Sequence, residues 1–253
     1  MRSRRTDYME CKLNKKCKRA NTEHCNAYCY SRVLLHGTNG NGGFWATRNV
    51  PKKYSNCFKE NLPIEEDNPK VYIAVTRYID DILDRVQSTN RGIYFCGNVG
   101  TGKTTVAITI LNEYLIARVI QHLKGEKRIE VNPVLFIKLA EFQNIYNSQF
   151  RGTPDMQNES AVKYYKFKQK MKEVDLLIID DIALRGCPEG FQNELYEIID
   201  HRATDDATTI FTSNVTYEEL PEYVGERIAS RISGMCGNQV ILKGKDNRQG
   251  GLF

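Results

Sequence analysis

Two kinds of apolar pattern alternate along the chain downstream of residue 70. Short, nearly unbroken apolar runs occupy 92–96, 133–137 and 174–179, and Thr208-Thr209-Ile210-Phe211-Thr212 reads as a fourth strand. Runs of that length with no polar alternation predict strands buried on both faces. Between them the apolar residues recur at three- and four-residue intervals, predicting helices over 105–120, 140–150, 162–171, 191–202 and 223–235, with a closing strand over 239–242. Ahead of the first strand, Val71, Val75, Tyr78, Ile79, Ile82 and Val86 share one helical face. They predict a single helix over 71–86, started by Asn68-Pro69. Strand and helix in alternation predict an α/β fold, a central parallel sheet with helices on both faces. Residues 1–60 have weak periodicity and are rich in Cys, Lys, Arg, Asn and Gly, with a turn-rich stretch at 36–43. Two prolines and an acidic patch mark 61–70 as a linker. The expected organisation is a small cysteine-rich N-terminal domain over 1–60, that linker, and a main domain over 71–253.

Charge sharpens the division. Residues 1–60 hold 13 Lys and Arg against 4 Asp and Glu, a balance of +9, whereas the whole chain carries +5. The remainder is therefore net acidic, and the basic excess belongs to the N-terminal segment. Such asymmetry points to nucleic acid or an acidic protein as a partner, or to a solvated basic arm. No apolar run reaches the length of a membrane span, and no apolar stretch follows the basic N-terminus as in a secretory signal. The chain is expected in the cytoplasm, where its eight cysteines are thiols or metal ligands.

Gly97-Asn98-Val99-Gly100-Thr101-Gly102-Lys103-Thr104 reads G-x-x-x-x-G-K-T between a predicted strand and a predicted helix. That context is the one a phosphate-binding loop requires. Glycines let main-chain N–H groups face a triphosphate, and the following helix adds its positive end. Lys103 is placed to reach the β- and γ-phosphates, and the Thr104 hydroxyl to hold Mg²⁺. Leu177-Ile178-Ile179-Asp180-Asp181 is an apolar strand ending in two carboxylates. Asp180 can hold Mg²⁺ beside Thr104, and Asp181 can orient the attacking water. Thr212-Ser213-Asn214 ends the next strand; if the two strands are neighbours, the Asn214 amide helps to position that water. Arg227 and Arg231 share one face of the last main helix. Either a surface ion-pair role or a charge-stabilising role on a γ-phosphate fits them.

These motifs, with Thr105 and Glu226-Arg227-Ile228-Ala229-Ser230-Arg231-Ile232, resemble the AAA+ ATPases, and within them the DnaC/DnaI helicase-loader and IstB-like branch. The resemblance covers about residues 69–250. It implies an ATP-hydrolysing, Mg²⁺-dependent P-loop domain with Arg231 as an arginine finger and Arg248 as a sensor arginine. Asp181 stands where many relatives carry Glu. The implied function is loading of a hexameric replicative helicase onto single-stranded DNA during replication initiation, through a homo-oligomer of the ATPase domain. The alternative is a transposition helper of the IstB type, which binds duplex DNA and a transposase. Lys163, Tyr164, Tyr165, Lys166, Phe167 and Lys168 combine cations and aromatics as single-strand contacts do, or belong to the core and its interfaces.

Cys11, Cys17, Cys25 and Cys29 lie within nineteen residues. A small segment without a core gains most of its fold from a tetrahedral Zn²⁺ site. These four are the expected zinc ligands, with His24, His36 and Cys57 as replacements and a set of reduced thiols as the alternative. DnaI-type loaders carry an N-terminal zinc module that contacts the helicase, so the resemblance implies that role for this segment.

Overall fold

The computed structural model describes residues 11–246. In chain order the main elements are α1 (Tyr30–His36), α2 (Gly43–Thr47), α3 (Pro69–Asp80), α4 (Ile82–Gln87), β1 (Ile93–Gly97), α5 (Lys103–Leu123), β2 (Val134–Lys138), α6 (Leu139–Ser148), α7 (Pro154–Glu173), β3 (Leu176–Asp180), α8 (Glu189–Thr204), β4 (Thr208–Ser213), α9 (Pro221–Val224), α10 (Glu226–Cys236) and β5 (Val240–Leu242). The strands form one sheet in the order β2-β3-β4-β1-β5, every pair parallel. Successive strand residues point to opposite faces. Phe95, Phe136, Ile178 and Ile210 therefore enter one core with α3, α4 and α5. Tyr94, Ile137, Ile179 and Phe211 enter a second core with α6, α7, α8 and α10. The doubly covered parallel sheet is the one expected from the unbroken apolar runs.

Three helices depart from the expected spans. The helix expected over 71–86 is two, parted at Asp81, where the Asp80-Asp81 pair brings two poor helix formers together. The helix over 162–171 begins earlier, at Pro154, because Thr153 caps it and accepts a hydrogen bond from the Met156 N–H. Its first two turns are too polar to show a stripe, so only the Thr-Pro start signal marks them. The helix over 223–235 is interrupted at Gly225, whose φ of 85° ends α9 and begins α10.

Helix α5 is apolar on nearly all sides, Val106 through Leu111 being buried with Thr109 as their one polar side chain. Such a helix needs cover on both flanks. The sheet covers one, and the N-terminal segment covers the other with Leu13 and Leu35, each 0% exposed and worth about 2 kcal/mol of transfer energy. Polar contacts fix the cover. Glu113 of α5 accepts from the Lys16 ammonium (2.7 Å) and from the Lys59 N–H (3.0 Å). Arg48 is buried, its guanidinium 3.7 Å from the Trp45 ring centroid and its Nε donating to Asn112 at 3.1 Å. The Phe136 N–H donates to the Arg48 carbonyl (2.9 Å), so the segment also occupies the outer edge of β2. Residues 61–70 are held as well: Leu62 and Ile64 are buried, and the Asn68 amide exchanges two hydrogen bonds with the Lys243 backbone (2.7 and 2.8 Å).

His36 gives this cover a pH dependence. Its ring is buried, its Nε2 accepts from the Lys12 N–H (3.1 Å), and burial together with the charges of Arg32, Lys12 and Arg48 lowers its pKa to about 4. The folded chain therefore holds a neutral ring that an unfolded chain protonates more readily. The resulting stability is complete above the unfolded value of about 6.5 and is lost as pH falls toward 4, on the order of 3 kcal/mol in all. Denaturant unfolding followed as a function of pH is expected to show that loss. His36→Gln, which keeps an acceptor and cannot titrate, should flatten the profile between those pH values.

Candidate nucleotide site

The phosphate loop joins the end of β1 to the start of α5. Two of its glycines answer to specific neighbours. A Cβ on Gly97 would lie 2.1 Å from the Leu242 carbonyl of β5, and one on Gly100, at φ 80°, would lie 1.9 Å from an Asp246 carboxylate oxygen. Only glycine permits those approaches. Lys103 is buried, and its ammonium donates to the Gly97 and Asn98 carbonyls at 2.8 and 2.7 Å. Thr101 ties the loop with a hydroxyl bond to the Asn98 carbonyl (2.9 Å).

Strand order brings the second motif to the first. Strand β4 lies between β1 and β3, so Asp180 meets the loop across the end of β4. The Thr104 and Thr212 hydroxyls donate to the same Asp180 oxygen at 2.8 and 2.7 Å. Asp180 is 1% exposed. Burial, and then the neighbouring charge of Asp181, push its pKa above the usual carboxylate value, against the pull of the two threonine hydroxyls. A cation at this position would relieve that cost. The Thr104 hydroxyl and the Asp180 carboxylate are hard oxygen donors side by side at the head of α5, a donor set that fits Mg²⁺. Asp181 takes the left-handed conformation, φ 56°, which Asp tolerates better than most residues. Its N–H donates to the Thr212 hydroxyl (3.0 Å). Thr212 thus holds both acids; sequence reasoning placed it in a motif without giving it that work.

A cavity of about 300 Å³ lies over the loop. Val99, Gly100, Gly102, Lys103, Thr104, Thr105, Asp181 and Asn214 line it, so three separate stretches of sequence converge there. Lys53, Tyr54, Pro63 and Leu184 complete its wall. None of these four was anticipated; the first two come from the N-terminal segment, where no periodic pattern marks them.

Arg231 does not line this cavity. It lies in a separate groove of about 790 Å³, formed by α8, α10 and the turn at Thr89–Arg91, and its guanidinium pairs with Asp200 of α8 at 2.7 Å. Arg227 sits over the Tyr196 ring at 4.1 Å in the same groove. Arg248 lies outside the described residues.

Cys11, Cys17, Cys25 and Cys29 line one small cavity of about 20 Å³, together with Arg19 and Arg32. Burial raises the Cys11 pKa, and the other three cysteines add to it. Burial opposes ionisation of Cys29 too, but hydrogen bonds from Arg32 and Ser31 and the charge of Arg19 outweigh it and lower its pKa. Among the described residues, however, no three His, Cys, Asp or Glu side chains are set close enough to hold a metal ion. The thiols are gathered without being placed as ligands. Of the considered replacements, His24, His36 and Cys57 lie off this cavity.

The mixed run on α7 divides. Tyr164 is buried, with its hydroxyl on Glu194, and Lys168 pairs with Glu194 and Glu197 of α8, so both serve the α7–α8 contact. Phe167 packs on the second core. Lys163, Tyr165 and Lys166 face solvent. Among the described residues no helix is long and apolar enough to cross a membrane.

Comparison with known proteins agrees with this architecture. Residues 63–237 match the bacterial DnaA ATPase domain family. A replicative helicase loader DnaC of Buchnera aphidicola subsp. Baizongia pistaciae is 30% identical over 194 residues, covering 76% of this chain and 69% of that protein. The corresponding protein of Buchnera aphidicola subsp. Schizaphis graminum is 28% identical over the same shares. A crystal structure of the DnaC helicase loader superposes with a TM-score of 0.56 at 18% identity, covering 76% of this chain and 100% of that one. The chain belongs to the AAA+ ATPases that share the bacterial DnaA ATPase domain, in the DnaC/DnaI helicase-loader family.

Proposed function

We propose that the chain is an ATP-dependent loader that delivers a hexameric replicative helicase to single-stranded DNA. The observation that carries the ATPase part is the convergence of Lys103, Thr104, Asp181 and Asn214 on one cavity, with Asp180 hydrogen-bonded to Thr104 behind it. In this reading the loop N–H groups and Lys103 bind the triphosphate. Thr104 and Asp180 hold Mg²⁺, which supplies charge neutralisation on the β- and γ-phosphate oxygens when bound. Asp181 and the Asn214 amide orient the attacking water from the opposite wall. Arg231, on a groove of its own, serves the site of a neighbouring subunit, which makes the homo-oligomer part of the enzyme. The names of the DnaC relatives support the loader reading over a transposition helper.

The helicase contact is assigned to the basic N-terminal segment. Four thiols that line one cavity are the donor chemistry a structural zinc ion takes, although as they stand no three are set close enough to hold it, so binding would draw them together. Cys11, Cys17, Cys25 and Cys29 would hold it, cross-linking turns that otherwise have little core of their own. Elemental analysis of the full chain, purified without added metal, is expected to find about one zinc per chain. Replacing Cys17 and Cys25 together by serine should remove the metal and weaken capture of the helicase. A folded wild-type chain without zinc would reject the zinc assignment, and a metal-free variant that captures helicase as well as wild type would reject the metal's part in that contact.

A further inference from the structure

The nucleotide cavity is partly walled by the segment that the sequence sets apart from it. Lys53 and Tyr54 stand on the same cavity as Lys103, Thr104 and Thr105. They belong to a single turn, Lys52–Tyr54, opened by Pro51. We propose that this turn is part of the nucleotide site, Lys53 supplying a cation to the phosphates and Tyr54 an aromatic face to the nucleoside. The inference rests on the ATP reading above and adds two binding residues to it.

Three observations support it. The turn is held in place by the helix that carries the phosphate loop. Asn112 of α5, 0% exposed, donates to the Tyr54 carbonyl (3.4 Å) and the Cys57 carbonyl (2.9 Å), and accepts from Arg48 Nε (3.1 Å). Asn112 lies nine residues along α5 from Lys103, about 14 Å of helix rise, so the turn and the loop are mounted on one rigid element. Next, Tyr54 is half-buried and Lys53 exposed, with the Lys53 ammonium 4.6 Å from the Tyr54 ring centroid. Among the described residues no carboxylate pairs with Lys53. A cation beside an aromatic face, over a cavity rich in backbone donors, suits a ligand with a charged end and a flat end. Finally, the rest of the N-terminal segment is linked to the turn: the Lys12 ammonium donates to Asn56 at 2.7 Å, and the Lys12 N–H donates to His36. Lys12 directly follows Cys11 in the chain, and Asn56 lies two residues past Tyr54, so the cysteine-bearing turns are tied close to this turn.

Titration of the full chain with a fluorescent ATP analogue and Mg²⁺ tests the assignment. Lys53→Ala and Tyr54→Ala are each expected to weaken binding by about tenfold, the scale of one charge-assisted or stacking contact. A purely structural role for the turn would not protect an amine. Brief acetylation followed by mass spectrometry should therefore show ATP slowing modification of Lys53 several-fold while leaving Lys52, its neighbour off the cavity, unchanged. If the wild-type chain binds no nucleotide, the ATP reading itself falls. If binding is present and is lost in Lys103→Ala, yet both alanine variants bind normally and ATP leaves Lys53 acetylation unaltered, the turn is not part of the site and only this inference falls.

Discussion

Replacing Lys103 by alanine is expected to lower ATP hydrolysis by at least about a hundredfold, the scale on which a group that stabilises charge in the transition state acts. The structure says why the fold should survive. Lys103 donates to the Gly97 and Asn98 carbonyls, both on the loop itself, and it is not among the apolar side chains that build the core. Losing those two hydrogen bonds costs about 1–3 kcal/mol, which in a chain of this size lowers Tm by only a few degrees. Steady-state hydrolysis with a thermal melt separates the two effects. Unchanged turnover in a folded variant would remove the phosphate loop from the account.

Arg231→Ala is expected to bind ATP normally and to hydrolyse it about a thousandfold more slowly, the scale of an arginine supplied in trans. Normal binding follows from position: Arg231 is in the groove with Arg227 and Tyr196, and among the described residues none lines both that groove and the loop cavity. Slow hydrolysis follows if the groove faces the loop cavity of the next subunit. The discriminating measurement is a mixture of Arg231→Ala with Lys103→Ala. Each variant then lacks what the other supplies across one interface, so mixing should restore part of the activity. A mixture of folded, co-assembled variants that stays inactive would place Arg231 in cis or in a purely structural role beside Asp200.

The parts of this molecule that were legible in the sequence are those whose physics is local. A phosphate loop needs its glycines, lysine and threonine at fixed spacing, and a two-sided sheet needs unbroken apolar strands; both can be read within a dozen residues. The strand ends carrying Asp180 and Asn214 were legible for the same reason, and the observed β3–β4 pairing met the condition on which Asn214 depended. The N-terminal cover was not legible. Its contacts are made by widely spaced single residues, Leu13, Leu35 and Arg48, whose partners lie on α5 and on the edge of β2. No periodicity records such contacts. One signal did exist: the run Val106–Leu111 is apolar but for Thr109, and a helix with apolar residues on every side cannot lie against a sheet on one side and water on the other. On α7 the core reading of the mixed run holds for Tyr164, Phe167 and Lys168. Tyr164 and Lys168 carry the chemistry of a strand-binding surface, but Glu194 and Glu197 on a distant helix draw them into the protein.

The central claim is that nucleotide state governs delivery of a helicase. Its most direct test is transfer of a hexameric replicative helicase onto a closed circle of single-stranded DNA, followed by counting helicase retained on the circle after gel filtration. With the wild-type chain and ATP, helicase is expected on the circle and the loader free of it. With Lys103→Ala the helicase should bind the loader but fail to reach the circle in its free, active form. Equal transfer with Lys103→Ala, or no capture of helicase by the wild-type chain at all, would contradict the account.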